Sequence, residues 1–443
     1  MLKKNAIPDK EPLLCVGIIL PEDQIKKLEI QLPKDTIYFL SPDNKSEQEI
    51  KNLKLVFKQS SNRVCLDSLG ASTCWTLSAS EPVPLKPKSG ILVKNVVAGR
   101  GFHWQKYIDV YLPGKLEIKC LTGNLILINQ LPLEHYLMCV ATSEMGAECP
   151  AALIEAQTIV ARSWMLANVE QKHIDLGMDV CNDDCCQRYQ GSGNLNDFSI
   201  TGAQNTTGQV LLYNNVICDA RYSKSCGGIT ESFVTIWGWK EHDYLRSIPD
   251  APHPFHHPAL PLTSETVIKQ WIDDIPDSYC SSRSIPEDRL TVYLGTVDEH
   301  GEYFRWSIYY KQSEIKELLN HQLDLKAQTI LDLIPLTRGG SGRIIKLKIV
   351  YLDKNGKKEE VIIERDYEIR RVLHKNFLYS SCIYFEKKDA DSGIAKDFII
   401  HGAGWGHGVG LCQIGALGMS LRGHGVKTIL QHYYPGSRLV KIY

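Results

Sequence analysis

Glu144 is a carboxylate on an otherwise small and apolar helical face within the stretch Leu131–Trp164. Apolar residues recur at helical spacing from Leu133, and Glu144 continues their stripe eleven positions later. Gly146 ends the predicted helix, so the carboxylate meets the negative end of the helix dipole, and partial burial further disfavours its ionised form. These conditions suit a general acid. The alternative is a structural glutamate paired with a cation such as Arg162.

A second group of reactive side chains lies in HIDLGMDVCNDDCCQRYQG, which follows the next predicted helix. Cys181 and Cys186 are separated by four residues, Cys185 lies beside them, and His173 lies upstream. Thiolate and imidazole ligands favour tetrahedral zinc. A distant fourth ligand is required, and Cys226 in SKSCGG is the candidate. The spacing is not a double C-x-x-C pattern, so a cluster of reduced thiols remains the alternative.

Glycine occupies every second position from Gly402 to Gly410 in HGAGWGHGVGLCQIG. Alternate residues of an extended strand share one face, so this pattern predicts a bare side opposite Trp405 and His407. A bare side admits close approach by a ligand or by a neighbouring element. Trp405 is a natural stacking surface for a sugar ring, although an aromatic residue at such a place is just as often part of the core.

The overall composition is that of a folded globular protein, with 443 residues of which 43% are hydrophobic. Lysine and arginine number 50 against 51 for aspartate and glutamate, so the charge does not indicate nucleic acid or an anionic membrane surface as a partner. The apolar run Leu13–Leu20 is far shorter than the roughly 20 residues that span a bilayer, and no small-residue cleavage site follows it. We therefore expect an opening β-strand and no transmembrane segment. The 14 cysteines are widely spread, and most are expected to be buried free thiols.

The order of the predicted elements indicates a multi-domain α+β fold, with mixed helices and antiparallel β-sheet and a catalytic core interrupted by an α+β insert. Helices are expected at SETVIKQWIDDI and SEIKELLNHQL, and KNGK is expected to close a hairpin between RIIKLKIVYLD and KEEVIIE. A proline-rich stretch, SEPVPLKPKSG, marks the first boundary. The predicted domains are a β-rich or α+β N-terminal region at 1–90, a core at 91–245 and 396–443, and the insert at 246–395.

Four stretches occur in the order SEMGAECPAALIEAQTIVARSW, DVCNDDCCQRYQG, ARYSKSCGGIT and GWGHGVGLCQIGALGMSLRGHGVKTILQHYYPG. Together they resemble the SpoIID family of peptidoglycan-cleaving proteins, also called the SpoIID/LytB family. The resemblance is specific across residues 131–239 and 398–443 and weak elsewhere. It implies a lytic transglycosylase that cleaves the MurNAc–GlcNAc bond of cell-wall glycan, in some members on strands stripped of stem peptides.

The resemblance places the catalytic acid in the Ser-Glu-Met motif, which is Glu144 here. The predicted substrate-binding residues are Arg162, Tyr189, Gln190, Ser225, Trp405, His407 and Gln413. The predicted metal ligands are His173, Cys181, Cys186 and Cys226, because some relatives carry zinc in the matching loop. Cys412 stands where relatives often have serine. The chemistry requires no cofactor, so zinc is expected to be structural.

The expected partners are peptidoglycan glycan strands and, from the other branch of the family name, a cell-wall amidase. The family implies a location in the cell envelope or periplasm and a process such as sporulation or cell division. Two alternatives remain open. One is a non-catalytic wall-binding protein that enhances an amidase. The other is a cysteine hydrolase with Cys226 or Cys412 as nucleophile and His407 as base.

Overall fold

The computed structural model describes residues 1–4, 6–43, 45–66, 69–102, 105–146, 148–255, 260–294, 301–388 and 394–443. The chain forms two compact units, and each has its own hydrophobic core. The first unit consists mainly of Met1–Asp219 and Arg438–Tyr443, and the second of Ala220–Tyr293 and Asp298–Ser437. Within these described ranges, no helix is both long enough and apolar enough to cross a membrane.

Antiparallel β-structure dominates the first unit. Its strands are β1 (Leu13–Ile19), β2 (Lys27–Gln31), β3 (Tyr38–Pro42), β4 (Gln48–Ile50), β5 (Lys54–Ser60), β6 (Arg63–Leu66), β7 (Gly70–Ser72), β8 (Cys74–Ala79), β9 (Ile91–Ala98), β10 (Lys106–Leu112), β11 (Lys115–Leu121), β12 (Asn124–Pro132), β13 (Val180–Cys181), β14 (Gln209–Tyr213), β15 (Val216–Ile217) and, late in the chain, β24 (Arg438–Lys441). They form sheets in the orders β13-β1-β12-β11-β8-β3-β4, β10-β9-β2-β5-β6-β7 and β15-β14-β24. The predicted opening strand is confirmed as β1.

Alternation of apolar and polar residues explains these strands. In β5, Leu55 and Phe57 are buried while Lys54 and Lys58 are exposed, which is the pattern of a strand with one face on the core. The helices of this unit are α1 (Leu133–Glu144), α2 (Ala151–Ala167) and α3 (Asp197–Asn205), with 3₁₀ turns at Pro21–Asp23 and Ile174–Leu176. The helix that was predicted to end near Glu144 is therefore confirmed as α1.

The second unit combines three small sheets with seven helices within its described residues. Its strands are β16 (Tyr222–Ser223), β17 (Arg305–Lys311), β18 (Ala327–Arg338), β19 (Ile344–Asp353), β20 (Lys358–Glu364), β21 (Ile383–Lys388), β22 (Asp397–Ala403) and β23 (Leu411–Cys412). Its helices are α4 (Phe233–Trp237), α5 (Glu265–Asp273), α6 (Glu287–Leu294), α7 (Gln312–Leu323), α8 (Asp366–Val372), α9 (Gln413–Leu421) and α10 (Val426–Tyr433). The sheets are β16-β23, β17-β22-β21 and β18-β19-β20. Helices α5 and α7 and the hairpin β19-β20 confirm the sequence predictions.

The α+β fold class is confirmed, but the units are divided differently from the predicted domains. Strand β9 pairs with β2, and β11 pairs with β8, so segments on both sides of residue 90 share sheets. The boundary between the units lies at Asp219, and the predicted boundaries at 245 and 395 fall inside the second unit. Composition marks loops, whereas long-range strand pairing decides which residues share a core.

Gly402 lies in β22, but the four glycines that follow at every second position form a loop, so the prediction of an extended strand with a bare, groove-lining face is wrong. The left-handed φ angles are +78° at Gly404, +99° at Gly406, +75° at Gly408 and +72° at Gly410. Glycine adopts this conformation without the steric cost that other residues incur. Other parts of the protein pack against the glycines, so no open face remains for a ligand. At Gly408, for example, a Cβ would lie 2.4 Å from the Arg343 guanidinium.

Gly410→Ala should destabilise the second unit more than Gly423→Ala does. Both glycines have left-handed φ, +72° and +85°, so alanine at either costs about 1–2 kcal/mol. A Cβ at Gly410 would also lie 2.0 Å from the carbonyl oxygen of Arg221, whereas at Gly423 no other described atom comes within 4 Å. Such crowding adds about 1–3 kcal/mol. Chemical denaturation measures the difference, and equal losses would contradict tight packing of the loop.

Candidate active site

Glu144 is the last residue of α1, and its side chain is partly exposed. Its Oε1 accepts a hydrogen bond from the backbone N–H of Arg188 at 3.0 Å. This bond joins the end of α1 to residues 181–188, which we call the cysteine loop. A partly exposed carboxylate that is oriented by a backbone donor can give and take a proton at a defined position.

A buried ionic network anchors the cysteine loop. Asp183 accepts hydrogen bonds from the backbone N–H groups of Gly99 and Arg100, both at 2.8 Å. Its carboxylate also lies 3.1 Å from the Arg100 guanidinium, which in turn binds Asp23 at 2.7 Å. Both aspartate side chains are less than 5% exposed, and buried charges of this kind are stable only when they are paired. The network therefore fixes one end of the loop that contacts Glu144.

Asp184 is a second carboxylate beside Arg188, and it was not among the residues predicted from the sequence. Its oxygens accept hydrogen bonds from the Arg188 guanidinium at 3.2 and 3.3 Å. Burial raises the pKa of Asp184 to about 6, against the opposing effect of Arg188, and the charge of Glu144 acts in the same direction as burial. Arg188 thus contacts Glu144 through its backbone and Asp184 through its side chain. The paired aspartates in CNDDCC are the signal that could have identified Asp184.

The cysteine loop contributes three thiols to a group of four possible metal ligands. Ligand atoms of His173, Cys181, Cys185 and Cys186 all lie within 4.8 Å of one another. Cys185 Sγ is 3.1 Å from Cys181 Sγ and 3.7 Å from His173 Nε2. Tetrahedral zinc would separate such ligands by about 3.5–3.8 Å. Hydrogen bonds among the three thiols lower the pKa of Cys185 and raise the pKa of Cys181, so Cys185 is the first of them to form a thiolate. The donor set therefore fits zinc.

Cys226 is not part of this group, so its prediction as the fourth ligand is wrong. Cys185 completes the group instead. Cys226 lies in the second unit, where its Sγ is 3.7 Å from Cys280 Sγ. Cys226 and Cys412 are only 2% and 0% exposed, so neither offers an accessible thiol for the hydrolase alternative. Spacing along the chain could not reveal which cysteines the fold brings together.

Arg162 and Tyr189 were predicted to bind substrate, but both side chains lie in the core of the first unit. Arg162 has no exposed surface, and its Nη2 lies 2.6 Å from Glu134 Oε2. Arg162 is therefore not the cation that was suggested as a partner of Glu144. The Tyr189 hydroxyl donates to Asn129 Oδ1 at 2.8 Å. Buried polar groups need internal partners, and these two side chains are engaged with theirs.

Ser225 and Gln413 require the same correction in the second unit. Ser225 has no exposed surface and exchanges two backbone hydrogen bonds with Trp405, at 2.8 and 3.0 Å. Gln413 begins α9 and is 2% exposed. Neither side chain is positioned at a surface where it could contact a glycan, because the segments that carry them pack inside the unit.

Gln190 and Trp405 remain partly exposed, as a substrate-binding role requires. Gln190 Oε1 accepts a hydrogen bond from Asn194 Nδ2 at 3.1 Å. Trp405 stacks on Tyr379 with ring centroids 4.1 Å apart and an interplanar angle of 12°, and Tyr303 lies against it at 4.8 Å. These rings form an aromatic cluster within the second unit, and their role toward a glycan stays a prediction.

His407 is partly exposed and packs edge-on against Trp237, with ring centroids 5.0 Å apart. Its Nδ1 accepts a hydrogen bond from the backbone N–H of Val409 at 3.0 Å. Desolvation, followed by the charge of Arg221, lowers the pKa of His407 well below its usual value. This environment favours the neutral ring, and one of its nitrogens is already used as an acceptor.

Family models match two separate parts of the chain. The model described as Stage II sporulation protein (SpoIID) matches residues 122–213, which include α1 and the cysteine loop. A model described as a domain of unknown function (DUF8618) matches residues 231–410. The second match falls within the sequence limits of the second unit, apart from its short interruption near residue 294.

Three curated proteins are similar to this chain over most of its length. An uncharacterized protein of Brachyspira hyodysenteriae is 25% identical over 328 residues, which cover 74% of this chain and 72% of that protein. The Stage II sporulation protein D of Bacillus amyloliquefaciens is 24% identical over 328 residues, covering 70% and 74%. The Amidase enhancer of Bacillus subtilis is 26% identical over 307 residues, covering 68% of this chain but 39% of the relative.

Proposed function

Since the chain belongs to the SpoIID family, we propose that it is a lytic transglycosylase of cell-wall glycan, with denuded strands as its preferred substrate. The family relationship supports a role connected with the cell wall and a location in the cell envelope. The observation that carries the proposal is the placement of Glu144 at the end of α1, partly exposed and oriented by the Arg188 backbone.

Glu144 alone can supply the acid and base that this reaction needs. The protonated carboxyl donates its proton to the glycosidic oxygen as the bond from MurNAc C1 to that oxygen breaks. The MurNAc 6-hydroxyl oxygen then bonds to C1 and closes the 1,6-anhydro ring, and its proton passes to the Glu144 carboxylate. No water is consumed, whereas glycoside hydrolases usually need a second carboxylate to activate water or to form an adduct.

Product analysis tests the reaction type. Purified protein is incubated with intact and with denuded peptidoglycan, and the soluble products are identified by mass spectrometry. We expect 1,6-anhydro-MurNAc ends, in greater amount from denuded strands. Free reducing ends would instead indicate a hydrolase and would contradict the proposal.

The alternative is a non-catalytic enhancer of a cell-wall amidase. The observation that favours it is the similarity to a relative named Amidase enhancer, of which the aligned region spans 39%. This alternative predicts no products from glycan alone. It also predicts faster peptidoglycan digestion when the chain is added to a purified cell-wall amidase.

We also propose that His173, Cys181, Cys185 and Cys186 hold a structural zinc ion. When bound, the metal would cross-link the cysteine loop next to the segment that contacts Glu144, while the proton transfers would remain with Glu144. Metal analysis should find zinc, and Cys181→Ser or Cys186→Ser should remove about one ion per chain and lower the melting temperature. Chelated protein that stays folded should still cleave glycan. A full complement of zinc in the Cys181→Ser protein would contradict this site.

A further inference from the structure

A second group of possible metal ligands lies inside the second unit, and the proposed reaction does not use it. It consists of Cys226, Asp250, Cys280 and Cys412, whose ligand atoms all lie within 4.8 Å of one another. Their exposed fractions are 2%, 0%, 3% and 0%. Four separate chain segments contribute one ligand each, so the fold, and not a local motif, assembles the group.

Two of the distances within this group match the edges of a tetrahedral zinc site. Cys226 Sγ is 3.7 Å from Cys280 Sγ and 3.4 Å from Asp250 Oδ2. Zinc bonds of about 2.3 Å to sulfur and about 2.0 Å to oxygen imply a sulfur–sulfur edge of about 3.8 Å and a sulfur–oxygen edge of about 3.5 Å. Both measured distances agree with these values within about 0.1 Å.

Hydrogen bonds around the group are those expected of outer-shell partners. The Tyr433 hydroxyl donates to Asp250 Oδ1 at 2.7 Å, which leaves Oδ2 facing Cys226. Cys412 Sγ accepts backbone N–H groups of Cys226 at 3.2 Å and Gly415 at 3.3 Å. Cys412 also precedes α9, where the positive end of the helix dipole stabilises a thiolate.

Gly415 leaves room for the carboxylate. A Cβ at this position would lie 2.4 Å from Asp250 Oδ2, the oxygen that faces the thiols. Tyr433 and, at 3.5 Å, His432 contact Oδ1 of this buried carboxylate, but Oδ2 faces buried thiols, which are weak hydrogen-bond donors, so a cation at that oxygen would compensate its charge. The same Cβ would lie 2.3 Å from the Tyr433 hydroxyl, so the absence of a side chain at Gly415 allows both groups to approach.

We propose that Cys226, Asp250, Cys280 and Cys412 bind a structural zinc ion in the second unit. All four positions of the tetrahedron are filled by protein and closed to solvent, which is the arrangement of structural and not of catalytic zinc. Asp250 and Cys280 lie within the region matched by DUF8618, and Cys226 and Cys412 lie on either side of it. The ion would therefore cross-link that region to the segments on either side of it.

Zinc analysis of the full chain, purified without chelators, tests the site. Cys280→Ser should contain about one zinc ion per chain less than the wild type. Cys382→Ser is the matched control, since Cys382 is 2% exposed in the same unit and its thiol faces the carbonyl oxygen of Ser341 at 3.3 Å. This control should retain the wild-type zinc content. Unchanged zinc in Cys280→Ser would overturn the proposal.

Alkylation of the wild-type chain decides the question if Cys280→Ser does not fold. Peptide mapping should show Cys226, Cys280 and Cys412 protected from iodoacetamide in the zinc-loaded chain. They should react together after chelation, under conditions in which Cys382 stays protected. Peptides that contain the cysteine loop are quantified separately, so loss of zinc from that site can be distinguished from loss of zinc in the second unit. Continued protection of the three thiols after all zinc is removed, or a disulfide between Cys226 and Cys280, would overturn the proposal.

Discussion

Glu144→Gln should reduce glycan cleavage by about 100- to 10,000-fold, the usual contribution of general acid–base catalysis. Glutamine is nearly isosteric with glutamate and can still accept the hydrogen bond from the Arg188 backbone, but it cannot donate and recover a proton. We therefore expect the fold and the glycan affinity to be retained. Release of anhydro-MurNAc products from denuded peptidoglycan, together with a glycan pull-down, measures both properties.

Glu155→Gln is the matched control for this substitution. Glu155 is also partly exposed, lies on α2 in the same unit, and accepts a hydrogen bond from Asn205 Nδ2 at 2.9 Å. Its replacement makes the same chemical change away from the end of α1, so cleavage should stay near the wild-type rate. Residual activity above about a tenth of wild type in Glu144→Gln would exclude Glu144 as the essential acid.

Arg162→Met should lower the free energy of unfolding of the first unit by about 3–5 kcal/mol, because it leaves Glu134 as an unpaired buried charge. The guanidinium binds both oxygens of Glu134, at 2.9 and 2.6 Å, and the two side chains are 0% and 8% exposed. Tyr443 and the Gly208 backbone also donate to Glu134, but neither group supplies a positive charge in place of Arg162. Urea denaturation followed by circular dichroism measures the loss.

Two further variants separate this mechanism from simple loss of packing. The double variant Glu134→Gln/Arg162→Met removes both charges and should recover much of the lost stability. Lys27→Met breaks the Lys27–Glu29 pair, whose side chains are 56% and 38% exposed, and should barely move the denaturation midpoint. A double variant as unstable as Arg162→Met would contradict the buried-charge explanation.

The local elements could be predicted from the sequence because their periodicity is a local property. Apolar positions at helical spacing predicted α1 and the place of Glu144 at its end, and alternation predicted β1 and the hairpin β19-β20. The grouping of Cys181 and Cys186 with His173 was also predictable, since a short loop keeps its residues close together. The SpoIID motifs lie in such local segments, which is why the resemblance could be stated from the sequence.

Only the tertiary structure decided which distant residues meet. Arg162 pairs with Glu134 because the packing of α1 against α2 leaves this carboxylate, and not Glu144, beside the guanidinium. The alternating glycines matched the period of a strand, but their left-handed φ angles arise from the tight packing of a loop. Cys226 joins Cys280 and not the cysteine loop, since residues 54 positions apart are brought together by folding and not by spacing. The spacing of apolar residues indicates which face of one segment is buried. The partners of buried charges and thiols depend instead on contacts between segments.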